Sequence, residues 1–381
     1  MNLFWVVGEN SGDRHAAHLI RELKKAAPEW THAGMGGAAM LEAGCEIVAD
    51  LSETSLMGLT EVVRHLPRLM KLQDRLVDEV QRRNITLVVL VDFPDFNLML
   101  GKKLRKQFGL SKKLFYYVSP QVWAWRKGRA KGIAELVDAM AVLFPFEQDL
   151  YKKYGLETVF TGHPLVGEVK ASAPVSELRK KFNLGKHEEA VAILPGSRNQ
   201  EVERHFHHQL NAIRELRNTV EVPVKALVAR ASTVNREVLE REIGDMKNVD
   251  IVEGDTYDAL AVSYAALVKS GTSTIEAALL GTPFVVLYRT SDLTYAAAKM
   301  LVRGVKYIAM VNVLAGREVV RERLQSEARG DILAGDLLAI WSGRKRKDVI
   351  ASLQEVSGML GEPGGTTRLA AWMVERFGEK R

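Results

Sequence analysis

The chain has 381 residues, which is enough for two α/β domains. Its single cysteine, Cys45, excludes a disulfide framework and a cysteine-cluster metal site, and favours a reducing cytoplasm. The net charge of +6 suits an anionic partner such as a membrane, a nucleic acid or a phosphorylated substrate, and it suits a merely basic soluble protein equally well.

Short β-branched runs alternate with amphipathic helical stretches through the first half, which is typical of a parallel sheet built from βαβ units. The chain opens directly on a strand-like run, so we expect no secretory leader. No apolar run reaches the roughly 18 residues of a membrane span. Helices are predicted at 15–26 and 69–83. Strands are predicted at 3–7, 86–91, 114–118, 139–144 and 159–162.

A segment rich in proline, glycine and charge at 162–189 predicts the connection between two domains. Further strands are predicted at 190–195, 224–229, 249–252, 266–269 and 283–288. An amphipathic helix is predicted at 367–377. We therefore expect an N-terminal domain at 1–165, a C-terminal domain at 166–345, and C-terminal helices at 346–381 that return toward the N-terminal domain. Each domain is predicted to be an α/β, Rossmann-like, doubly wound sheet, and the two are expected to face a cleft.

Glycine- and acid-rich turns follow the predicted strands, and ligands of doubly wound sheets bind at such turns. The turn GENSGD at 8–13 supplies Glu9, Ser11, Gly12 and Asp13. Its glycines would let a ligand approach the backbone closely. The alternative for Asp13 is that it caps the helix that follows.

The turn DFPDFN at 92–97 places two carboxylates just after a buried strand. A carboxylate at such a position can act as the general base that activates a hydroxyl nucleophile. Asp92, directly at the strand end, is the first candidate and Asp95 is the second. The alternative for either residue is a helix cap or a turn.

In the second half, LPGSR at 194–198 ends a strand and leads into a long helix that begins near Asn199. The guanidinium of Arg198 would neutralise a diphosphate there. The alternative is a simple ion pair between Arg198 and Glu201.

The turn SGTST at 270–274 presents small side chains and free backbone N–H groups at a helix start, an arrangement that suits phosphate. It lacks the signatures of a Walker loop and of a dinucleotide-binding loop, so a nucleotide-sugar diphosphate fits better than ATP or NAD. Glu276 is predicted either to bind ribose hydroxyls or to form a capping box with Ser273. The predicted phosphate contacts are Ser270, Gly271, Thr272 and Ser273.

Two segments, 56–72 and 118–133, mix apolar or aromatic residues with basic ones. This composition predicts contact with an acylated substrate or an anionic bilayer. The alternatives are stacking on RNA bases and core aromatics beside a solvated basic face. The histidines and acids lack metal-site spacing, so no metal is predicted. The candidate membrane or acyl contacts are Met57, Leu59, Trp123, Trp125, Arg126 and Arg129.

These motifs, in this order along the chain, resemble the bacterial lipid-A-disaccharide synthase family. The tryptophan-containing segment and the GENSGD opening are the most specific of them. The matching strings lie at 8–13, 57–63, 92–97, 117–129, 144–147, 161–165, 194–198, 270–289 and 312–320.

The resemblance implies a glycosyltransferase fold of the GT-B type. Such enzymes transfer 2,3-diacylglucosamine from its UDP donor to the 6-hydroxyl of 2,3-diacylglucosamine 1-phosphate. The anomeric carbon is inverted, and the products are the β-1,6-linked lipid A disaccharide 1-phosphate and UDP. The resemblance further implies that the reaction needs no metal or other cofactor. It implies a cytoplasmic enzyme that attaches peripherally to the anionic inner face of the inner membrane. Nucleic acid is not an expected partner.

By the same resemblance, the second domain holds UDP. Its predicted contacts are Arg198, the SGTST turn, Glu276 and Asn312. The first domain is expected to bind the acceptor and to supply Asp92 as the base, with Glu9 nearby. Three residues depart from the family pattern. Val311 and Arg321 stand where proline is common, which leaves the loop geometry around Asn312 open, and Asn10 stands where alanine is usual.

Two rival functions follow from the same sequence. One is another enzyme of this architecture, such as a UDP-GlcNAc 2-epimerase or a glycosyltransferase with non-lipid substrates. The other is a non-catalytic basic module that binds membrane or RNA. The sequence predicts neither the acyl-chain length nor the oligomeric state.

Overall fold

In the computed structural model the chain forms two units, Met1–Val166 with Leu360–Arg381, and Gly167–Met359. The structure describes residues 1–53, 62–123, 128–292, 294–296 and 306–378, with the backbone alone at 62–66. Each unit contains one parallel β-sheet and a set of helices, so the predicted α/β class with two doubly wound domains is confirmed.

The first unit is built on a seven-stranded parallel sheet with the strand order β3-β2-β1-β4-β5-β6-β7. The order reverses between β1 and β4, where Val7 pairs in register with Val91. The strands are β1 (Asn2–Val7), β2 (Thr31–Gly36), β3 (Glu46–Asp50), β4 (Leu87–Val91), β5 (Lys113–Tyr117), β6 (Ala139–Ala141) and β7 (Thr158–Val159).

The central strands of this sheet are buried on both faces, which is why they read as continuous apolar runs. Along β1, Trp5 packs into one hydrophobic core, whereas Phe4 and Val6 pack into the other. The two cores are covered by helices on opposite sides of the sheet. The helices between these strands are α1 (Asn10–Ala26), α2 (Ala38–Glu42), α3 (Val62–Arg82), α4 (Pro94–Phe108), α5 (Arg129–Leu136) and α6 (Pro145–Lys152).

The second unit is built on a six-stranded parallel sheet with the strand order β10-β9-β8-β11-β12-β13. Here the order reverses between β8 and β11, where Leu194 pairs with Val268. The strands are β8 (Glu189–Leu194), β9 (Val224–Arg230), β10 (Val249–Glu253), β11 (Ala265–Lys269), β12 (Phe284–Tyr288) and β13 (Glu322–Leu324). The helices are α7 (Val175–Lys181), α8 (Asn199–Thr219), α9 (Arg236–Ile243), α10 (Thr256–Val262), α11 (Ser273–Leu279), α12 (Met310–Ala315), α13 (Gly330–Ala339) and α14 (Gly343–Met359).

The last helix, α15 (Gly365–Phe377), belongs to the first unit and packs against α1. Met373 of α15 is fully buried in that core, and the guanidinium of Arg368 donates to the carbonyl oxygen of Thr161 at 2.6 Å. Residues 346–359 of the predicted C-terminal segment instead lie in α14 and belong to the second unit. There the hydroxyl of Ser357 donates to the carbonyl oxygen of Ala278 at 3.1 Å.

Several elements differ from those predicted. Strand β2 has the sequence THAGMG, whose glycines and histidine carry little strand propensity, so it was not predicted. Strands β3 and β13 were also missed, and β6 and β7 are shorter than the predicted runs at 139–144 and 159–162. Helix α1 begins at Asn10, which places most of the GENSGD turn inside the helix.

Candidate functional site

In the first unit, the ends of β1 and β4 lie side by side at the point where the strand order reverses. Ligands of open α/β sheets bind beyond the carboxyl ends of the strands at such a point. Gly8 and Glu9 follow β1, and Asp92 follows β4. The fold therefore brings the two predicted acidic turns of this unit together.

The backbone of Asp92 is held on both sides. Its N–H donates to the carbonyl oxygen of Tyr117 at 3.0 Å. Its own carbonyl oxygen accepts the hydroxyl of Tyr116 at 2.6 Å and the Nδ2 of Asn97 at 2.8 Å. These bonds hold Asp92 at a φ of 46°, a left-handed conformation that costs a non-glycine residue about 1–3 kcal/mol.

Phe93 continues the left-handed backbone, with a φ of 47°. Its ring stacks on Phe96 at 5.2 Å between centroids and lies directly over Gly8. A Cβ atom at Gly8 would approach the ring of Phe93 to 2.2 Å. Glycine is therefore required after β1 for the turn after β4 to take this shape.

The carboxyl of Asp92 is half-buried and lies near Glu9. Burial, and then the negative charge of Glu9, raise the pKa of Asp92 to about 6, against the effect of a backbone hydrogen bond from Phe93. A carboxylate with this pKa is mostly ionised at neutral pH and is a stronger base than an ordinary aspartate. This combination suits a general base.

Asp95 has different surroundings. It lies in the first turn of α4, is exposed, and its Oδ1 accepts the Nη1 of Arg129 at 2.7 Å. The two predicted carboxylates of DFPDFN are therefore distinguished by burial, because only Asp92 lies at the sheet edge beside Glu9.

Asp13 caps α2, and not α1, the helix that follows the GENSGD turn. It lies inside α1 and is almost fully buried. Its carboxylate accepts the backbone N–H groups of Gly37, Ala39 and Met40, at 2.8, 3.0 and 3.3 Å. These groups form the start of α2, so Asp13 satisfies the free N–H groups of a neighbouring helix.

The other members of the first turn also lie in α1. Gly12 is buried, and a Cβ atom there would approach Cγ1 of Val7 to 3.0 Å, so Gly12 allows α1 to pack closely on β1. Ser11 is half-buried in the first turn of α1. The structure thus assigns packing or capping contacts to Gly12 and Asp13.

The second unit repeats this arrangement. The turn that follows β8 contains Ser197 and Arg198, and the turn that follows β11 begins with Ser270. Because β8 and β11 are neighbours where the strand order reverses, both predicted anion-binding turns lie at one position of the sheet edge.

Glu201 organises the LPGSR turn. Its Oε2 accepts the backbone N–H of Ser197 at 2.9 Å, and its Oε1 accepts the Nζ of Lys269 at 2.8 Å. Burial alone would raise the pKa of Glu201, but Lys269, the Ser197 N–H and the charge of Arg198 outweigh it and hold the pKa below its usual value. Gly196 has a φ of 131°, and a Cβ atom there would lie 2.7 Å from the Cβ of Glu201. Arg198 is exposed at the N-cap of α8, one residue after Ser197.

Within the described structure, the predicted capping box at the SGTST turn does not form. Thr272 is the N-cap of α11, has helical φ and ψ, and makes no side-chain capping hydrogen bond. Ser273 is consequently already the first helical residue. The carboxylate of Glu276 accepts the hydroxyl of Tyr257 at 3.3 Å instead. Because α11 has seven residues, anion binding here depends on local N–H groups more than on a helix dipole.

Asn312, a predicted UDP contact, is fully buried in α12. Its Nδ2 donates to the carbonyl oxygen of Val320 and to Oε1 of Glu322, both at 2.8 Å. Its Oδ1 accepts the N–H groups of Val319 and Val320 at 2.7 and 3.0 Å. The side chain thus uses its donors and acceptor within the protein and fixes the loop before β13. The departures at Val311 and Arg321 leave this arrangement intact.

The candidate membrane residues are only partly placed. Met57, Leu59, Trp125 and Arg126 lie outside the described residues. Trp123 is half-buried, and its indole Nε1 donates to Oε1 of Glu147 at 3.2 Å.

Glu147 is a buried carboxyl that sequence reasoning did not select. It also accepts the hydroxyl of Ser119 at 2.6 Å and the N–H groups of Leu143 and Phe144 at 3.2 and 3.1 Å. Burial raises the pKa of Glu147 to about 7, although these hydrogen bonds oppose the shift. Glu147 thereby ties the chain at 119–123 to the start of α6.

Asn97, Tyr116 and Lys269 also lie at the two sheet edges and were not predicted. In the sequence, each is a polar residue at a position where the pattern of the strand or helix predicts an apolar one, and this is a weak indication of a functional role. Asn97 lies on the inner face of α4 with Leu100 and Leu104, and Lys269 ends an otherwise apolar strand.

Two further findings concern the described ranges alone. None of the helices found there is long and apolar enough to cross a membrane. Nor do three or more His, Cys, Asp or Glu side chains converge there as a metal site would require.

Comparison with known proteins gives matches along nearly the whole chain. The family model described as lipid-A-disaccharide synthetase matches residues 3–359. The lipid-A-disaccharide synthase of Syntrophus aciditrophicus is 40% identical over 368 residues, which are 96% of this chain and 95% of that protein. The enzyme of the same name from Myxococcus xanthus is 38% identical over 373 residues, or 97% and 96% of the two chains.

Solved structures share the fold at low identity. The UDP-GlcNAc 2-epimerase of Neisseria meningitidis aligns over 99% of this chain and 100% of its own, with a TM-score of 0.66 and 12% identity. The calicheamicin glycosyltransferase CalG4 aligns over 99% of each chain, with a TM-score of 0.63 and 13% identity. Both likenesses agree with the predicted GT-B fold. Because the family match and the sequence identity extend over almost the full length, the chain belongs to the lipid-A-disaccharide synthase family of glycosyltransferases.

Proposed function

We propose that this protein joins two acylated glucosamine units. It transfers 2,3-diacylglucosamine from the UDP donor to the 6-hydroxyl of 2,3-diacylglucosamine 1-phosphate, with inversion, and releases UDP. Membership of the family supports this reaction, as does the name shared by relatives that cover almost the whole chain. The observation that carries the mechanism is the half-buried Asp92 beside Glu9 at the reversal of the first sheet.

Asp92 is the proposed general base. It removes the proton of the acceptor 6-hydroxyl as that oxygen attacks the anomeric carbon of the donor. The bond from the anomeric carbon to the diphosphate breaks, and UDP carries away its electron pair. A single displacement of this kind inverts the anomeric carbon and needs one base. Glu9 maintains the basicity of Asp92 through its charge. Asp95 remains the second candidate, but its exposed pair with Arg129 argues against that role.

The second unit is proposed to hold UDP at the two turns beyond β8 and β11. Arg198 lies exposed at one turn, and Gly271 and Thr272 are exposed at the other. The guanidinium and the backbone N–H groups of these turns would stabilise the negative charge that grows on the departing diphosphate. Ser270 and Ser273 border the same turn, and Glu276 is the candidate for the ribose hydroxyls. We infer that Lys269, although paired with Glu201, adds to the positive charge there.

Some predicted substrate contacts receive different roles in this proposal. Asp13, Gly12 and Asn312 shape the two sheet edges rather than touch substrate. Ser11, half-buried in the first turn of α1, stays a candidate contact.

The lipid substrates imply a peripheral membrane location at the cytoplasmic face. The proposed bilayer or acyl contacts are the apolar and basic residues of two segments of the first unit. Trp123, held by Glu147, and Arg129 are the described members of this group. The others are Met57, Leu59, Trp125 and Arg126, which lie outside the described residues.

Incubation of the protein with the UDP-diacylglucosamine donor and the diacylglucosamine 1-phosphate acceptor tests the proposal. Mass spectrometry should detect the tetra-acyl disaccharide 1-phosphate together with one UDP per product, and NMR should show a β-1,6 linkage. Product formation should persist in EDTA, because the two turns replace a metal. UDP-GlcNAc without acyl chains serves as the matched control. Conversion of that control in place of the acylated donor would point to the epimerase or to a non-lipid transferase.

A further inference from the structure

A cluster of four consecutive cations occupies the start of α14 in the second unit. Arg344, Lys345, Arg346 and Lys347 lie in the first turns of this 17-residue helix. The first turn of a helix favours acidic side chains, because the helix dipole is positive there, and this one has no acidic residue. Helix stability therefore does not account for the cluster.

The charge of this basic cluster is poorly compensated. Among the described residues, Arg344 forms an ion pair only with Asp348, at 3.9 Å, and its side chain is 95% exposed. Neither Lys345 nor Lys347 forms an ion pair with a residue that the structure describes, and both are exposed.

Other cations of the same unit behave differently. Lys181, Lys225 and Arg236 lie 2.7, 2.8 and 2.7 Å from carboxylate oxygens. Several other cations of the second unit are thus neutralised by a nearby carboxylate. The cluster, by contrast, is a local excess of positive charge.

Arg346 differs from its neighbours because it anchors the cluster. Its guanidinium lies 3.6 Å from the centroid of the Tyr264 ring, and its Nη1 donates to the carbonyl oxygen of Tyr264 at 2.6 Å. Tyr264 also contacts Trp341, with ring centroids 4.9 Å apart. Three members of the cluster, Arg344, Arg346 and Lys347, border a concavity of roughly 550 Å³ together with Tyr264. The aromatic pair therefore supports Arg346, and the other three cations of the cluster are exposed beside it.

This surface is separate from the proposed UDP site. Tyr264 immediately precedes β11, and its N–H donates to the carbonyl oxygen of Ala190 near the start of β8 at 2.8 Å. The cluster consequently lies at the amino ends of these strands. The turns with Arg198 and Ser270 follow the carboxyl ends of the same strands, at the opposite edge of the sheet.

We infer that the basic cluster of α14 is a contact site for the phosphate headgroups of an anionic bilayer. Cations grouped on an exposed helix end beside half-buried Trp and Tyr rings are the arrangement that anionic lipid surfaces attract. RNA is disfavoured because the Tyr264 ring is half-buried and already contacts Arg346 and Trp341, which restricts the stacking of a base on it. The inference rests on the proposed function in one respect, because lipid substrates would bring this protein to a membrane.

Co-sedimentation of the full-length protein with vesicles, without substrates, tests the inference. One set of vesicles contains phosphatidylcholine and phosphatidylglycerol, and the other contains phosphatidylcholine alone. The triple variant R344Q/K345Q/K347Q should bind the anionic vesicles roughly 10- to 100-fold more weakly than the unmodified protein. Arg346 is retained because it packs on Tyr264.

The triple variant K180Q/K186Q/K247Q is the matched control. It removes the same number of charges from exposed lysines of the same unit and should bind nearly as the unmodified protein does. Equal weakening in both triple variants, or no weakening in the first, would overturn the inference. The inference would also fail if R344Q/K345Q/K347Q bound single-stranded RNA more weakly in a parallel filter-binding assay but bound the anionic vesicles as the unmodified protein does. If the unmodified protein bound anionic vesicles but formed no disaccharide, the proposed function would fail while this contact stood.

Discussion

The Nζ of Lys269 lies 2.8 Å from Oε1 of Glu201, so one ion pair links the end of β11 to the first turn of α8. The other oxygen of the same carboxylate accepts the N–H of Ser197. Both side chains are largely buried. The pair therefore fixes the two turns of the second unit relative to one another, and these are the turns proposed to hold the diphosphate.

We expect Glu201→Gln to loosen this arrangement. The amide oxygen can still accept the Ser197 N–H, but the ion pair with Lys269 is lost. The free energy of unfolding should fall by about 1–3 kcal/mol, the usual contribution of a hydrogen bond to a charged group. The affinity for UDP should fall by roughly tenfold, measured by calorimetric titration, because the turns are no longer held in register.

Glu355→Gln is the control for that variant. Glu355 forms an exposed pair with Arg317, and the loss of such a pair costs about 0–1 kcal/mol. An unchanged UDP affinity in Glu201→Gln would show that the Lys269 pair does not shape the site.

Asp92→Asn should abolish most turnover. The amide keeps the size of the side chain but cannot accept a proton, and the loss of a general base lowers turnover by about 10²- to 10⁴-fold. The affinity for UDP should stay the same, since UDP is assigned to the second unit. Asp95→Asn should change turnover little, because Asp95 is exposed and its pair with Arg129 is a surface ion pair. Comparable losses in the two variants, or near-normal turnover in the first, would remove Asp92 from its assigned role.

The pH dependence of kcat/KM should report the Asp92 carboxyl. Its pKa of about 6 means that activity falls as the pH drops through that value and the base becomes protonated. Glu9→Gln should move this acidic limb to lower pH, because loss of the neighbouring negative charge lowers the pKa of Asp92. Asp95→Asn should leave the limb in place. A limb that stays fixed, or moves to higher pH, in Glu9→Gln would contradict the proposed coupling.

The sequence was sufficient to locate the turns at the carboxyl ends of the central strands in both sheets. A glycine or an acid after a run of apolar residues marks the end of such a buried strand. Asp92 and Arg198 could be selected in this way. The role of Asp13 could not be predicted, since the N–H groups that it caps belong to a helix 24 or more positions away. The same holds for Asn312, whose partners on the following loop become visible only once the chain has folded.

Strand β2 was missed for a related reason. Its glycines and histidine weaken the local signal, and its position depends on pairing with β1 and β3. Local pattern therefore predicts the central strands, which are buried on both faces, better than it predicts those near the edge.

Gly8→Ala should be costly. The added methyl group would lie 2.2 Å from the ring of Phe93, so either the ring or the turn that carries Asp92 must shift. We expect a loss of about 1–3 kcal/mol in thermal unfolding together with a fall in turnover. Gly132→Ala on α5 is the control, because a Cβ atom there meets nothing within 4 Å and alanine favours a helix by about 0.5–1 kcal/mol. Equal stability of the two variants would show that the turn adapts freely.

Asn312→Ala separates a structural role from a ligand contact. The substitution leaves the N–H groups of Val319 and Val320 without their buried acceptor, so the free energy of unfolding should fall by about 2–4 kcal/mol in urea denaturation. The KM for the UDP donor should change little in the protein that remains folded. Asn312→Asp should destabilise at least as much at neutral pH, since it places a second carboxylate beside Glu322 and removes the donor that now bonds it. A raised KM with unchanged stability in Asn312→Ala would instead return this residue to the UDP site.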